Sequence, residues 1–181
     1  KYGESSFAYL DGGIIIGIIR NSAGAVMQQV KSIDNGLNWT TQGAVSFDTG
    51  LHVSPEITTY IDPNNNKRIA LFYGNRTDNK LKVVTGDYTS VIANATGWNV
   101  KSLETLSTNT NADFGYPSAI KSIENNKFLI AIYKGISSSQ ANINFFNYTP
   151  TYAKITSFEE IKTNTLFRNN RGIGTYLLVD N

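Results

Sequence analysis

Short runs of apolar and β-branched residues, each bounded by polar turn residues, make up most of the chain. The first group contains Phe7 to Leu10, Ile14 to Ile19 and Ala25 to Lys31, with the turn Asp11-Gly12-Gly13 after its first run. Runs of this length that are rich in Ile, Val, Tyr and Phe are typical of β-strands, and Asp-Gly pairs between them are typical of tight turns. The pattern therefore predicts a meander of strands rather than helices.

The same pattern of three strands returns twice along the chain. The second copy contains Glu56 to Ile61, Arg68 to Tyr73 and Lys80 to Thr85, and the third contains Tyr116 to Ile123, Lys127 to Tyr133 and Ala141 to Tyr148. The residues that precede the acidic turns, Leu10, Ile61, Ile123 and Val179, are 51, 62 and 56 positions apart. Internal repeats with spacings in this range are typical of the blades of a β-propeller.

These repeats predict an all-β protein whose residues 1–181 are part of a single β-propeller domain. The blade-like repeats cover about 4–50, 53–112 and 114–165, and 172–181 begins a further blade or forms a closing strand. A propeller closes with about four to eight blades. About three blades and part of a fourth make an incomplete ring, so either other parts of the protein complete it or the copies form a smaller open assembly. We favour the first interpretation.

Charge and composition exclude several classes of function. The net charge is +2 and the 16 basic residues are scattered, so we predict no nucleic-acid partner. The longest apolar run, Ile14 to Ile19, is far too short for a membrane span of about 20 residues. The chain has no cysteine, and its one histidine, His52, lacks partners at the spacing of metal ligands. We therefore predict no membrane insertion, no metal site and no cofactor.

One tight turn stands out between two predicted strands. Within Ser32 to Trp39, Asp34 can hydrogen-bond to nearby backbone, Gly36 accepts a positive φ, and Trp39 supplies a large ring to pack beneath the turn. This pattern, Ser-x-Asp-x-Gly-x-x-Trp, resembles the Asp-box, or BNR repeat, of sialidases and their non-catalytic relatives. The resemblance implies that the turn joins the third and fourth strands of a blade and is structural. By position, Asp87 to Trp98 is a degenerate second box.

The resemblance to sialidases extends to candidate site residues in three consecutive copies. Glu4 opens the first copy, Arg20 follows Ile18-Ile19, Arg76 lies in the second copy and Tyr116 opens the third, in the order that the family uses. The resemblance implies that Tyr116 is a nucleophile, that Glu4 is its base, and that Arg20 and Arg76 bind the substrate carboxylate. Glu56 and Tyr133 are further substrate-binding candidates, because in a propeller they would face the same central cavity.

The chemistry of that set is consistent with glycoside hydrolysis. Guanidinium groups hold a carboxylate through two parallel hydrogen bonds. A Tyr nucleophile is a recognised exception to the paired carboxylates of most glycosidases. A free phenol has a pKa of about 10, so a nearby carboxylate has to accept its proton.

Two functions follow from these residues, and we favour the first because only part of a catalytic set is visible. The first is recognition of a cell-surface or cell-wall glycan without turnover, as in a phage tail receptor-binding protein or an adhesin. The second is a retaining exo-α-sialidase. Both imply an extracellular, secreted or virion-surface protein, with a homo-oligomer left open. Structural roles also stay open: a solvated carboxylate at Glu4, a rim residue at Arg20 and a half-buried ring at Tyr116.

Overall fold

The computed structural model describes residues 2–21, 26–111, 113–121, 127–137, 140–150, 160–161 and 166–167. The first sheet contains β1 (Tyr2–Tyr9), β2 (Ile15–Asn21), β3 (Gln28–Ser32) and β4 (Thr40–Ala44). The second contains β5 (His52–Ile61), β6 (Lys67–Asn75), β7 (Lys80–Asp87) and β8 (Glu104–Thr108). The third contains β9 (Phe114–Lys121), β10 (Phe128–Ser137) and β11 (Gln140–Tyr148), and both β12 (Glu160–Ile161) and β13 (Leu166–Phe167) pair with β11.

All pairings in these sheets are antiparallel, and the strands follow chain order within each of the first two sheets. The predicted all-β class is therefore confirmed. The three described sheets do not close a ring. The predicted fourth repeat, 172–181, lies outside the described residues.

Two apolar cores lie between consecutive sheets, as expected for the blades of a propeller. Leu71 belongs to the core between the first and second sheets, whereas its neighbour Phe72 belongs to the core between the second and third. Successive side chains of a strand point to opposite faces of the sheet, so β6 contributes to both cores. The central sheet is therefore covered on both faces, and the innermost strand β5 lies between β1 and β9.

The turn from Ser32 to Trp39 joins β3 to β4, as predicted. The Asp34 carboxylate accepts hydrogen bonds from the Ser32 hydroxyl and from the backbone and side-chain amides of Asn38. Gly36 has a φ of +89° and its N–H donates to Ser32 Oγ. The Trp39 indole donates to the Gly36 carbonyl and packs edge-on against Phe7, with 43% of the residue exposed. The box residues therefore bond to one another within the turn, and Trp39 also packs against β1.

The connection between β7 and β8 is not a box turn, so that prediction is wrong about its conformation. A short helix, α1 (Tyr88–Ala93), follows directly after β7, and the Asp87 side chain caps it by accepting from the Ser90 N–H. Trp98 is 4% exposed and its indole donates to Gln29 Oε1 on the first sheet at 2.9 Å. The connection is therefore stabilised by burial of this ring against the neighbouring blade and not by the hydrogen bonds of a box turn.

None of the helices in the described part of the chain has the length and apolar character needed to cross a membrane.

Candidate functional site

The three innermost strands carry an irregularity at matching places near their starts. The pairing register shifts between Tyr2 and Ser5 in β1 and between Val53 and Glu56 in β5. In β9 the pairing with β10 skips from Gly115 to Ser118. Such bulges redirect side chains and are common beside active sites. Glu4, Ser54 and Tyr116 lie within these three bulges.

The Glu4 carboxylate is the point at which the three blades meet. Its Oε1 accepts hydrogen bonds from Arg20 Nη1 and from Tyr116 Oη, each at 2.9 Å. Its Oε2 accepts from the Ser54 backbone N–H at 2.8 Å and from Ser54 Oγ at 3.3 Å. The predicted pair of Glu4 and Tyr116 is thus within hydrogen-bonding distance, and Arg20 belongs to the same cluster.

These contacts shift the pKa values of the pair in opposite directions. Partial burial disfavours the charged form of Glu4, but hydrogen bonds from the Ser54 backbone and Tyr116, together with the Arg20 charge, outweigh it and lower its pKa. The hydrogen bond to Glu4, partial burial and the charge of that carboxylate raise the pKa of Tyr116, against the opposing charges of Arg76 and Arg20. In this arrangement Glu4 is ionised and Tyr116 keeps its proton at neutral pH.

The two arginines have different surroundings. Arg20 Nη1 forms an ion pair with Glu4, so in this structure Arg20 orients the carboxylate. Arg76 lies in the turn directly after β6, where its backbone N–H donates to the Leu51 carbonyl. Within the described residues no carboxylate forms a salt bridge with the Arg76 guanidinium, and its buried Nε has no hydrogen-bond partner. Among the described residues, the charge of Arg76 is therefore not neutralised by a salt bridge.

A polar network holds the turn that carries Arg76. Asp48 Oδ2 accepts hydrogen bonds from Tyr73 Oη, Asn75 Nδ2 and Lys82 Nζ at 2.8–2.9 Å. Burial opposes the charge of Asp48, but these donors, led by Lys82, lower its pKa. His52 lies beside the network with its side chain fully buried, and burial lowers its pKa. Among the described residues no cluster suited to a metal ion is present.

The other two predicted binding residues have partners of their own. The Glu56 carboxylate accepts from Ser6 Oγ at 3.1 Å and from the Ala119 backbone N–H, and its burial raises its pKa despite both bonds. Glu56 therefore links all three innermost strands. Tyr133 Oη donates to Asp113 Oδ2 at 2.8 Å, beside the start of β9. A contact of either residue with a substrate stays a prediction.

Ser54 is the residue of the cluster that the sequence did not indicate. Its only local signal is that it precedes Pro55, and this dipeptide also occurs in ordinary turns. It has a φ of +50°, which is uncommon for a residue other than glycine. Tyr116, also followed by a proline, has a φ of +49°.

No protein-family model matches the chain, and a search of curated proteins found no match. Solved structures do match it. The fold is that of a β-propeller. An α-L-arabinofuranosidase mutant from Fusarium graminearum, in complex with an iminosugar inhibitor, matches with a TM-score of 0.65 and 10% identity over 89% of this chain and 48% of that one.

Two further structures agree with that match. The α-L-arabinanase of Penicillium chrysogenum, complexed with arabinobiose, has a TM-score of 0.60 and 14% identity over 90% of this chain and 50% of that one. The xylan β-1,4-xylosidase of Bacillus halodurans has a TM-score of 0.55 and 10% identity over 88% of this chain and 30% of that one. At such identities the likeness shows the fold alone, and this chain spans about half the length of the first two proteins. None of the three is a sialidase, so the resemblance to sialidases still rests on the box and the site residues.

Proposed function

We propose that the end of the propeller at Tyr116 binds the terminal acidic sugar of a cell-surface glycan. The protein then hydrolyses the glycosidic bond that links this sugar to the glycan, as a retaining exo-α-sialidase does. The observation that carries the proposal is the 2.9 Å hydrogen bond from Tyr116 Oη to Glu4 Oε1. This distance lies within the range of about 2.6–3.2 Å expected for a nucleophile and its base. The pair comes from two different blades, 112 positions apart in the chain.

The reaction has two steps. In the first, Tyr116 Oη attacks the anomeric carbon, the bond to the leaving oxygen breaks, and the phenol proton passes to Glu4 Oε1. The leaving oxygen takes a proton from a general acid, or departs as an anion when it is the phenol of a reporter substrate. In the second, water attacks the anomeric carbon, Glu4 returns its proton to the released Tyr116 oxygen, and the proton from water goes to the conjugate base of that acid or to solvent.

The cations of the site suit an acidic sugar. Arg76 has no salt bridge with a described carboxylate, and its charge acts on Tyr116, where it opposes the rise of the phenol's pKa caused by Glu4 and by burial. A sugar carboxylate bound by Arg76 would form charge-assisted hydrogen bonds, which are among the strongest in proteins. In the part of the chain that the structure describes, the buried Arg20 Nε also has no hydrogen-bond partner, although one terminal nitrogen of Arg20 is bound to Glu4.

Recognition without turnover, as in a phage tail receptor-binding protein or an adhesin, is the second candidate. The observation that favours it is the direction of the two pKa shifts, since a lowered pKa for Glu4 and a raised pKa for Tyr116 oppose proton transfer between them. In that case the same residues bind the glycan, and the Tyr116 oxygen, whose proton is donated to Glu4, accepts a hydrogen bond from a sugar hydroxyl. Under either candidate we propose that the protein works outside the cell or on a virion.

The test is an assay of the complete protein with a fluorogenic sialoside. Glu4→Gln should lower kcat by about 10²–10⁴-fold, the contribution typical of a general base. Tyr116→Phe should lower it at least as far. The kcat of the double variant should be no lower than that of the less active single variant, because the effects of residues that act as a unit are not additive.

Tyr9→Phe is the matched control, since Tyr9 is exposed and bonded to Asn35 on the box turn. It should keep full activity. Binding of sialyllactose by calorimetry, with lactose as reference, separates the two candidates. Preferential binding without release of the reporter supports recognition alone, and undiminished activity in Tyr116→Phe rules out Tyr116 as the nucleophile.

A further inference from the structure

Ser54 lies at the start of β5 in a left-handed backbone conformation. It has a φ of +50° and is 3% exposed. A residue with a Cβ rarely adopts this conformation, and where it persists the surrounding structure enforces it. Pro55 follows it within the bulge between Val53 and Glu56.

The conformation directs both donors of Ser54 at one oxygen of Glu4. The backbone N–H is 2.8 Å from Glu4 Oε2 and Ser54 Oγ is 3.3 Å from the same atom. The other oxygen, Oε1, is bonded to Arg20 and Tyr116. The two oxygens of the carboxylate are therefore held by different groups, and a rotation about the Glu4 side chain would break contacts at both.

The third blade packs directly against Ser54. A Cβ added to Gly115 would lie 2.9 Å from Ser54 Oγ, and Gly115 has a φ of +147°. The residue after Gly115 is Tyr116. The position of Ser54 is thus coupled to the backbone that presents the Tyr116 hydroxyl.

We propose that Ser54 is a positioning residue, whose backbone N–H holds Glu4 Oε2 so that Oε1 stays aimed at the Tyr116 hydroxyl. Its hydroxyl is the lesser donor, at the longer distance. The role in turnover rests on the proposed function, whereas the effect on the Glu4 carboxylate does not. Two independent measurements can therefore separate a failure of one from a failure of the other.

The test compares substitutions that keep or disturb the left-handed backbone. Ser54→Gly removes the hydroxyl but favours the conformation and keeps the N–H. Ser54→Val keeps the N–H but disfavours the conformation, because a β-branched residue at positive φ is strained. Gly115→Ala is a second disturbing variant, and circular dichroism identifies the variants that fold.

Direct titration of Glu4 by carboxyl ¹³C NMR is the readout that needs no activity. Loss of the N–H contact should raise the Glu4 pKa in Ser54→Val and Gly115→Ala, whereas Ser54→Gly should change it little. In the sialoside assay the disturbing variants should lose about 100-fold in kcat with little change in KM, the scale expected for a misplaced catalytic group. The acidic limb of kcat/KM should move to higher pH, because Glu4 has to be ionised to act as the base.

Each outcome decides a different point. An unchanged Glu4 pKa in a folded Ser54→Val or Gly115→Ala protein would overturn the positioning role. A raised Glu4 pKa in Ser54→Val and Gly115→Ala, together with a wild-type protein that shows no turnover, would retain the positioning contact and remove the proposed enzyme. A Ser54→Gly protein as impaired as Ser54→Val would assign the effect to the hydroxyl and contradict the role of the backbone N–H.

Discussion

At the scale of single residues, two carboxylates in different parts of the molecule each accept several hydrogen bonds. Glu4 accepts two hydrogen bonds at each oxygen, and Asp34 in the box turn accepts from Ser32 and twice from Asn38. Hydrogen bonds to the charged form lower the pKa of a carboxyl group and so link folding to pH. The same physics therefore acts in a candidate catalytic role at Glu4 and in a structural role at Asp34.

Asp34 predicts a measurable dependence of stability on pH. Hydrogen bonds from the backbone and side chain of Asn38, and from Ser32, lower its pKa from 3.8 to about 2. A group whose pKa is lower in the folded state than in the unfolded state stabilises the fold at any pH above its unfolded-state pKa. This contribution is lost as the pH falls from about 3.8 towards 2. The urea midpoint should therefore fall more steeply between pH 5 and pH 2.5 in the wild type than in Asp34→Asn.

Ser32→Ala is the control for that comparison, because it removes one donor to Asp34 and keeps the carboxylate. It should show an intermediate slope. Equal slopes in the wild type and Asp34→Asn would show that the turn does not stabilise the charged form of Asp34.

At the scale of elements, the connection between β7 and β8 shows how neighbouring blades complete each other. The last carbonyl groups of a helix lack partners within the helix. In α1 the Ile92 carbonyl accepts from Lys31 Nζ and Gln42 Nε2, and the Ala93 carbonyl accepts from Gln42 Nε2. Both donors belong to the first sheet. A positive charge at the C-terminus of a helix is also favourable, so Lys31 stabilises α1 in two ways.

Gln29 in β3 is fully buried against this connection. Its side chain donates to Gln42 Oε1 and to the Val91 carbonyl, and it accepts from the Trp98 indole. Gln29→Leu keeps a similar volume but leaves buried polar groups without a partner, so we expect a loss of about 1–3 kcal/mol in the free energy of unfolding. Urea denaturation measures it.

Gln28→Leu is the matched control, because Gln28 is the preceding residue and is only partly buried. Its effect should stay within about 0.5 kcal/mol, as for most substitutions away from buried contacts. A similar loss in both variants would mean that the Gln29 hydrogen bonds are not the source of the stability.

At the scale of the whole molecule, the two cores make the central blade a shared element. Leu71 and Phe72 are adjacent in β6 and both fully buried, yet they lie in different cores. Phe72 packs edge-on against Phe128 and Tyr148 of the third blade. The first and third blades are therefore connected through the second by apolar packing.

This arrangement predicts that large-to-small substitutions on the two faces of β6 lower the free energy of unfolding by similar amounts. Leu71→Ala should cost about 2–5 kcal/mol and Phe72→Ala about 3–5 kcal/mol, because each leaves a cavity in a dense core. Both substitutions should lower the urea midpoint of a single unfolding transition, which is followed by tryptophan fluorescence and by circular dichroism. Leu37→Ala, at an 82% exposed position, should have almost no effect. Separate transitions for the two probes would show that the blades unfold independently.

Much of this architecture could be predicted from the sequence, since strands and turns follow local patterns. The box residues and the order of Glu4, Arg20 and Tyr116 were informative for the same reason. The helix α1 was missed because Thr89, Val91 and Ile92 are weak helix formers, and its stability comes from the cap at Asp87 and from the neighbouring blade. The Ser54 contact and the ion pair of Arg20 with Glu4 depend on how strands meet in space, and no local pattern encodes that.

The bond between Tyr116 and Glu4 also sets an order of events during synthesis. The two residues are 112 positions apart, and the whole second blade lies between them. A contact of such long range forms late, because the intervening chain has to be ordered first. A ribosome-bound chain that has not yet released β9 therefore holds Glu4 without its phenol partner, and the contact between the two residues forms only after the third blade begins to dock.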